Sequence, residues 1–191
     1  MISKEDMRIS KFISLILRHK PQEIGLKLDE YGYANASDMI QGINNKGYKV
    51  TIDDVKRIVK EDDKQRYSFN EDETKIRANQ GHSINVNLRL KTVKPPDRLY
   101  HGTATRFINS ICNEGINKQN RQYVHLSDNK DTAAKVGKRH GEVVIFVINS
   151  QQMHNDGYKF YLSDNNVWLT DYVPVKYLCG GLIWKKVIKL E

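Results

Sequence analysis

Arg18 and His19 stand side by side at the end of an apolar helical stretch, in SLILRHKP (14–21). Arginine is always charged in proteins and offers a planar set of donors to phosphate or carboxylate oxygens. Histidine titrates near neutral pH and can therefore carry protons. A basic, solvated helix end is the plain structural alternative, because cations are favourable near helix C-termini. The pair alone does not decide between these interpretations.

A second polar cluster lies in IRANQGHS (76–83), where Arg77, Gln80, His82 and Ser83 stand around Gly81. A turn that only gripped phosphates would need Arg or Lys. The mixture of residue types therefore indicates more than a charged surface.

The stretch YHGT (100–103) follows an apolar run in the second half of the chain. Gly102 would let a ligand approach the backbone closely. His101 and Thr103 would offer hydrogen bonds, and His101 could donate one to a ribose hydroxyl. A histidine before a glycine turn is also common for structural reasons.

The stretch RQYVHLS (121–127) alternates polar and apolar residues, as a half-buried strand does. The alternation predicts Arg121, Tyr123 and His125 on one face, with Ser127 continuing that face. An edge strand with a polar face is the structural alternative.

Metal chemistry is not indicated. The six histidines form no HxxxH or HExxH motif, and no cysteine or carboxylate stands at ligand spacing. Cys112 and Cys179 are too few for a disulfide framework and fit a reducing compartment. With no signal-peptide pattern and no apolar run of about 20 residues, we expect a soluble, cytoplasmic protein without membrane contact.

The overall charge favours a polyanionic partner. The chain has 191 residues, a net charge of +8 and a pI near 9.3, and the excess is shared equally by the halves before and after Pro95-Pro96. Nucleic acid is the usual partner of such a surface. Hydrophobic residues at 39% and charged residues at 28% suit a folded globular chain.

The first half, residues 1–94, has the element order of a winged helix: helix, strand, two helices and a β-hairpin. Ser3 with Asp6 predicts a helix that runs to Lys20, since Pro21 cannot continue it. The remaining predictions are a strand at GLKL (25–28), helices that begin at Ser37 and at Thr51 with Asp54, and a hairpin of RYSF (66–69) and KIRA (75–78).

The second half, residues 95–191, follows a basic linker (84–97) and predicts an α+β lobe of short strands with two helices. One helix carries Ile108 and Ile111 and ends at Gly115, and the other is KDTAAKVGKR after Asp128. The predicted strands are RLYHG (98–102), QYVHL (122–126), EVVIFVI (142–148), YKFYL (158–162) and VWLTD (167–171).

Taken together, LRHKP, RANQGHS, LYHGT and RQYVHLS, in this order, resemble the NAD-dependent RNA 2′-phosphotransferases (the KptA, or tRNA 2′-phosphotransferase, family). NNVWLTDYVPVKYL (165–178) is similar as well. The resemblance implies a winged-helix lobe and an ADP-ribosyltransferase-like lobe that clasp NAD⁺ and an RNA with an internal 2′-phosphate. It implies transfer of that phosphate to NAD⁺, which gives 2′-hydroxyl RNA, nicotinamide and ADP-ribose 1″,2″-cyclic phosphate.

The resemblance also implies roles for individual residues, with NAD⁺ consumed as co-substrate and neither a metal nor an obligate protein partner. The catalytic residues would be Arg18, His19, Arg77 and Arg121. The cofactor-binding residues would be His101, Gly102, Thr103, His125, Ser127 and Ser83.

Two other functions stay open from the sequence. A related enzyme could leave ADP-ribose on a terminal phosphate of RNA or DNA, which is the first step without the second. A winged-helix regulator could bind nucleic acid without catalysis, although it would have no use for LYHGT and RQYVHLS. Modification of protein side chains is disfavoured, because Asn165-Asn166-Val167 stands where many ADP-ribosyltransferases have a glutamate.

Overall fold

The structure is a computed structural model that describes residues 3–183 and 186–188; the other positions of the two predicted lobes lie outside the described residues. The chain divides into two compact units, 1–89 and 90–191. Helices and small antiparallel sheets occur in both, which confirms the predicted α+β class.

The first unit packs three helices against a three-stranded antiparallel sheet of order β1-β3-β2. A continuous apolar core joins them, with Ile13, Met39 and Ile76 fully buried. The elements are α1 (Lys4–Arg18), β1 (Tyr33–Asn35), α2 (Ala36–Asn45), α3 (Ile52–Glu61), β2 (Tyr67–Phe69) and β3 (Lys75–Ala78), with a 3₁₀ turn at Pro21–Ile24.

Reciprocal side-chain caps begin α1 and α3, as predicted. The Ser3 hydroxyl accepts from the backbone of Asp6 at 3.0 Å, and the Thr51 hydroxyl accepts from that of Asp54 at 3.2 Å. Arg57 donates to both Asp6 and Asp54. Since Asp6 lies in the first turn of α1 and Arg57 in α3, this ion pair joins the start of α1 to α3.

Three predictions for the first unit are wrong in detail. GLKL is not a strand, because its only ladder contact is a single bridge from Leu28 to Ala34. Asn35 rather than Ser37 caps α2, since Asn35 ends β1 and its side chain accepts from the backbone of Asp38 at 3.1 Å. The first helix ends at Arg18, two residues before Lys20.

Among its described residues, the second unit contains three sheets and three α-helices. The sheet orders are β12-β11-β7-β4, β6-β9-β8 and β10-β5. The strands are β4 (Arg98–Ala104), β5 (Ile116–Asn117), β6 (Val124–Leu126), β7 (Val143–Asn149), β8 (Tyr161–Leu162), β9 (Trp168–Thr170), β10 (Tyr172–Val173), β11 (Leu178–Ile183) and β12 (Lys186–Ile188). The helices are α4 (Ile108–Glu114), α5 (Lys130–Gly137) and α6 (Ser150–Asn155).

Helix α5 lies directly on the backbone of β4. A Cβ on Gly102 would lie 1.7 Å from the carbonyl oxygen of Ala133, and one on Gly137 would lie 2.9 Å from the carbonyl oxygen of Thr103. Two glycines on facing elements thus permit a helix-to-strand approach that any side chain would block. A glycine is therefore needed at position 102 for the packing of α5 on β4, a requirement that the sequence did not reveal.

The second unit also differs from the predicted boundaries. It begins at Leu90 rather than after the linker, because the backbone of Val93 donates to Phe160 and Thr92 bridges Tyr161. Helix α4 ends at Gly115 and α5 follows Asp128, as predicted. Helix α6 was not predicted, and YKFYL forms a strand only at its last two residues.

Acid should remove part of the stability of the first unit through Asp54. Hydrogen bonds from Thr51 and then Arg57 lower the pKa of this carboxyl to about 2. Because the unfolded value is near 3.9, the contribution is present above about pH 4 and lost as the pH falls towards 2. We expect Asp54→Asn to cost about 1 kcal/mol at pH 7, measured by urea unfolding.

The control for this prediction is Asp53→Asn, which changes an exposed carboxylate in the same helical turn. It should leave the unfolding free energy nearly unchanged. The cost of Asp54→Asn should shrink as the pH falls from 4 to 2, and a cost that stayed constant would contradict this account.

Candidate functional site

The C-terminal end of α1 presents Arg18 and His19. The backbone N–H groups of His19 and Lys20 both donate to the carbonyl of Leu15 at 2.9 Å, and Pro21 then starts a tighter turn. Arg18 is half-buried and His19 is exposed. The partial negative charge at a helix C-terminus favours the guanidinium of Arg18 at this position.

The loop after β3 folds against this helix end. The backbone N–H of Ser83 donates to the carbonyl of Arg18 at 3.0 Å, and the Ser83 hydroxyl shares a 2.9 Å hydrogen bond with Nδ1 of His19. Gly81 has a φ of +89°, and a Cβ there would lie 3.6 Å from Cζ of Arg18. The loop thus covers the Arg18 side chain and orients the His19 ring.

A buried asparagine fixes the start of this loop. Asn79 donates from its side chain to the carbonyl of Gln65 at 2.7 Å and accepts from the Ser68 hydroxyl at 2.7 Å. Its backbone N–H donates to the carbonyl of Arg66 at 2.8 Å. Because each of these bonds runs to the segment at and before β2, the hairpin holds the loop in register.

Arg77 lies on β3 with Tyr33 opposite it on β1. Its Cζ is 4.8 Å from the centre of the Tyr33 ring, a distance at which a guanidinium is attracted to an aromatic face. The strand and the ring therefore restrict the conformations of this side chain.

The charges of Arg18, His19 and Arg77 converge on the buried His82. Burial, followed by the charges of these three groups, lowers the pKa of His82 from its ordinary value to about 4. The structure thus brings together three of the four predicted catalytic residues within the first unit. We call Arg18, His19 and Arg77 the basic group.

Ser83 was predicted to bind a cofactor together with residues of the second half. In the structure it belongs to the first unit, and its hydroxyl contacts His19. The Ser83 hydroxyl therefore helps to orient the His19 ring, and its role in cofactor binding stays a prediction.

In the second unit, His101 and His125 lie against each other. Two backbone hydrogen bonds, of 2.8 and 2.9 Å, join Tyr100 on β4 to Ser127, just after β6. This bridge brings Nδ1 of His101 to 3.1 Å from the carbonyl oxygen of His125. The two motifs YHGT and RQYVHLS therefore meet in one place.

The partner of His101 determines its tautomer. A carbonyl oxygen can only accept, so Nδ1 carries the proton and donates to His125. Burial lowers the pKa of His101, and the charges of Arg121 and His140 lower it further, which favours the neutral ring. Nε2 is then an acceptor, so His101 would accept from a ribose hydroxyl rather than donate to it as the sequence suggested.

The neighbouring side chains have structural partners. The Ser127 hydroxyl donates to the carbonyl of Asn129 and accepts from its N–H, which forms the turn before α5. Thr103 is buried on the face of β4 that His101 shares. At Gly102 the opposite face of β4 is in contact with the backbone of Ala133.

Arg121 is not on a strand. The predicted strand QYVHL is shortened to Val124–Leu126, and the backbone N–H of Arg121 donates to Lys118 in a turn. Val124 and Leu126 are buried and His125 is half-buried, which confirms the predicted alternation. Arg121 is exposed, and its charge acts on His101.

The chemistry of these residues is that of anion binding and proton transfer. Two guanidinium groups and an imidazole suit the oxygens of a phosphate, and the imidazole can move a proton. Within the residues that the structure describes, no three His, Cys, Asp or Glu side chains are grouped as a metal site. In the same part of the chain, no helix has the length and apolar character to cross a membrane.

The basic group of this α+β protein is chemically suited to binding the oxygens of a phosphate ester. The sequence pattern of the RNA 2′-phosphotransferase, Tpt1 / KptA family matches residues 4–172. The chain belongs to this family and is therefore an enzyme, a transferase that acts on RNA.

Similar proteins come from diverse bacteria, and each is named "Probable RNA 2′-phosphotransferase". The one from Fusobacterium nucleatum is 54% identical over 174 residues, which cover 91% of this chain and 97% of the relative. The one from Flavobacterium johnsoniae is 52% identical over 170 residues, which cover 89% of this chain and 93% of the relative. The one from Acaryochloris marina is 48% identical over 169 residues, which cover 88% of this chain and 93% of the relative.

Proposed function

We propose that this enzyme transfers an internal RNA 2′-phosphate to NAD⁺, giving 2′-hydroxyl RNA, nicotinamide and ADP-ribose 1″,2″-cyclic phosphate. The convergence of Arg18, His19 and Arg77 around the loop after β3, in a chain of this family, is the observation that carries the proposal. RNA is the partner that the net charge of +8 also favours.

In the first step, an oxygen of the RNA 2′-phosphate bonds to the anomeric carbon of the nicotinamide ribose. The carbon–nitrogen bond breaks, and nicotinamide leaves with the electron pair. The phosphate is already an anion, so this step needs no general base. The task of the basic group here is to hold the phosphate in line with the bond that breaks.

In the second step, the ribose 2″-hydroxyl attacks the phosphorus and the bond to the RNA 2′-oxygen breaks. One proton leaves the 2″-hydroxyl and one arrives on the RNA oxygen, so a histidine such as His19 can serve both transfers. Negative charge grows on the phosphate oxygens, where Arg18, Arg77 and Arg121 would stabilise it.

NAD⁺ would supply the electrophilic carbon and a good leaving group. The second unit fits this co-substrate through His101, whose Nε2 is an acceptor suited to a ribose hydroxyl, and through the adjoining His125. We assign Thr103 to the wall of this site, because it lies on the same face of β4 as His101. Gly102 and Ser127 would support the site from behind, through the packing of α5 and the turn before it.

We assign the first unit as a winged helix and the second as an ADP-ribosyltransferase-like lobe. The order α1, β1, α2, α3, β2 and β3, with β1 added to the hairpin, supports the first assignment. The antiparallel β4–β7 pair and the small sheet that carries His125 support the second.

The first unit is poorly suited to act as a winged-helix DNA binder, the non-catalytic alternative. Two of the three cations of α3 already pair with acids: Arg57 with Asp6 and Asp54, and Lys56 with Glu73. The hairpin tip carries three acidic residues in a row, 71–73, which would repel a phosphate backbone. The cations of the basic group lie elsewhere, at the end of α1 and on β3.

The test is incubation with an oligoribonucleotide that bears one internal 2′-phosphate. Loss of this phosphate should require NAD⁺ and should proceed in the presence of a chelator. An oligonucleotide with only a terminal phosphate tests the capping alternative, which predicts a stable ADP-ribosylated end. Loss of the 2′-phosphate without NAD⁺ would contradict the proposal.

His101→Ala should weaken NAD⁺ binding about tenfold and leave RNA binding nearly unchanged, because one hydrogen bond to the co-substrate is lost. Separate titrations of NAD⁺ and of the 2′-phosphorylated RNA measure the two affinities. His154→Ala, which changes a histidine of α6, is the matched control. Equal losses for both ligands would show that His101 does not act on NAD⁺.

A further inference from the structure

A buried histidine in the loop after β3 has no part in the chemistry above. The side chain of His82 is 1% exposed, and neither Nδ1 nor Nε2 has a hydrogen-bond partner among the described residues. A buried polar atom without a partner is costly to keep. Because both ring nitrogens of His82 lack a partner in the described part of the chain, we expect the ring to have a role in another state of the protein, such as a complex with a ligand.

The surroundings of His82 point to that state. Gly32, in the turn before β1, packs against it, since a Cβ on Gly32 would lie 3.6 Å from Nε2. Arg18 and His19 approach from α1, and Arg77 approaches from β3. The ring thus lies behind the basic group, where positive charge opposes its protonation.

We propose that His82 is a positioning residue, neutral while the basic group is empty and protonated when a phosphate dianion binds to Arg18, His19 and Arg77. This inference rests on the proposed function, because it takes the 2′-phosphate of RNA as the dianion. The proton comes from solvent, and the imidazolium then has two N–H donors. Its added positive charge would help to hold the phosphate in place.

The electrostatics make such coupling feasible. Burial and the neighbouring cations hold the pKa of His82 near 4. A phosphate dianion bound beside those cations offsets their charge and attracts the proton, so it raises the pKa of His82. Phosphate binding and proton uptake at His82 would then favour each other.

The experiment uses the full-length protein labelled with ¹⁵N and follows the imidazole nitrogens by NMR at pH 7. The probe is an oligoribonucleotide with an internal 2′-phosphate, added without NAD⁺ so that no reaction occurs. The same oligonucleotide without the 2′-phosphate is the ligand control, and the His154 ring on α6 is the internal control. His82→Gln identifies the His82 signals, and through-bond connectivity identifies them if that variant does not fold.

We expect the His82 nitrogens to change from the pattern of a neutral ring to that of an imidazolium only with the 2′-phosphorylated RNA. A ring that stays neutral in the saturated complex, or is already protonated in the free protein, would overturn the inference. If the His19 signals change and those of His82 do not, the proposed function survives and this inference fails. If no histidine responds and the RNA does not bind, both fail.

Discussion

Arg18→Ala and His19→Ala are each expected to accumulate an RNA that carries ADP-ribose on its 2′-phosphate. The first step depends mainly on holding an anionic phosphate near a good leaving group, so positioning lowers much of its barrier. The second step builds a more highly charged phosphorus centre and must protonate a poor leaving group. Each of these side chains should therefore affect the second step by about 10²-fold or more.

A time course on a denaturing gel, with mass spectrometry of the shifted band, measures this intermediate. Arg18→Lys should restore little activity, because an ammonium cannot bind two phosphate oxygens in one plane. Lys20→Ala is the matched control: Lys20 is exposed at the same helix end, pairs with Glu23 at 3.5 Å and should leave both steps unchanged. If RNA still bound but no adduct formed, Arg18 and His19 would act in the first step.

Gly102→Ala should destabilise the second unit more than substitution of the other glycines whose surroundings the structure describes there. The new methyl group would lie 1.7 Å from the carbonyl oxygen of Ala133, so α5 would have to move away from β4. Overpacking of this kind usually costs about 1–3 kcal/mol, and contact with backbone rather than a flexible side chain places this case at or above the upper end. Thermal unfolding of the variant measures the loss.

The control is Gly157→Ala, where no atom lies within 4 Å of the added Cβ and only the φ of +94° is unfavourable. It should cost about 1 kcal/mol. Since His101 lies beside Gly102 on β4, a Gly102→Ala protein that folds should also bind NAD⁺ more weakly. Equal stabilities of the two variants would contradict the close packing of α5 on β4.

Features determined by neighbouring residues could be predicted from the sequence. Both side-chain caps, at Ser3 and at Thr51, form as expected, because a cap depends on residues only three positions apart. The β2–β3 hairpin and the end of α4 at Gly115 follow for the same reason. The alternation around His125 places its neighbours Val124 and Leu126 in the core.

Features that depend on distant parts of the chain could not be predicted. GLKL has the composition of a strand, but β3 pairs with Tyr33–Asn35 instead. The role of Gly102 depends on α5, which lies about 30 residues later. Helix α6 has six residues, too few for a clear helical period.

The candidate site likewise contains residues that short motifs identify and contacts that depend on distant parts of the chain. The motifs identified Arg18, His19 and Arg77, but the contact of Ser83 with His19 depends on the path of the loop after β3. The isolation of the His82 ring depends on Gly32 and α1, which are distant from it in sequence. Asn79 was missed because only its bonds to Gln65 and Ser68 show that it fixes the loop.

The fate of the 2′-phosphate tests the central claim most directly. An oligoribonucleotide with ³²P in its internal 2′-phosphate is incubated with the enzyme and NAD⁺, and the labelled products are separated. The account predicts that the label appears in ADP-ribose 1″,2″-cyclic phosphate, one molecule for each nicotinamide released. Release of the label as inorganic phosphate, or its transfer without consumption of NAD⁺, would contradict it.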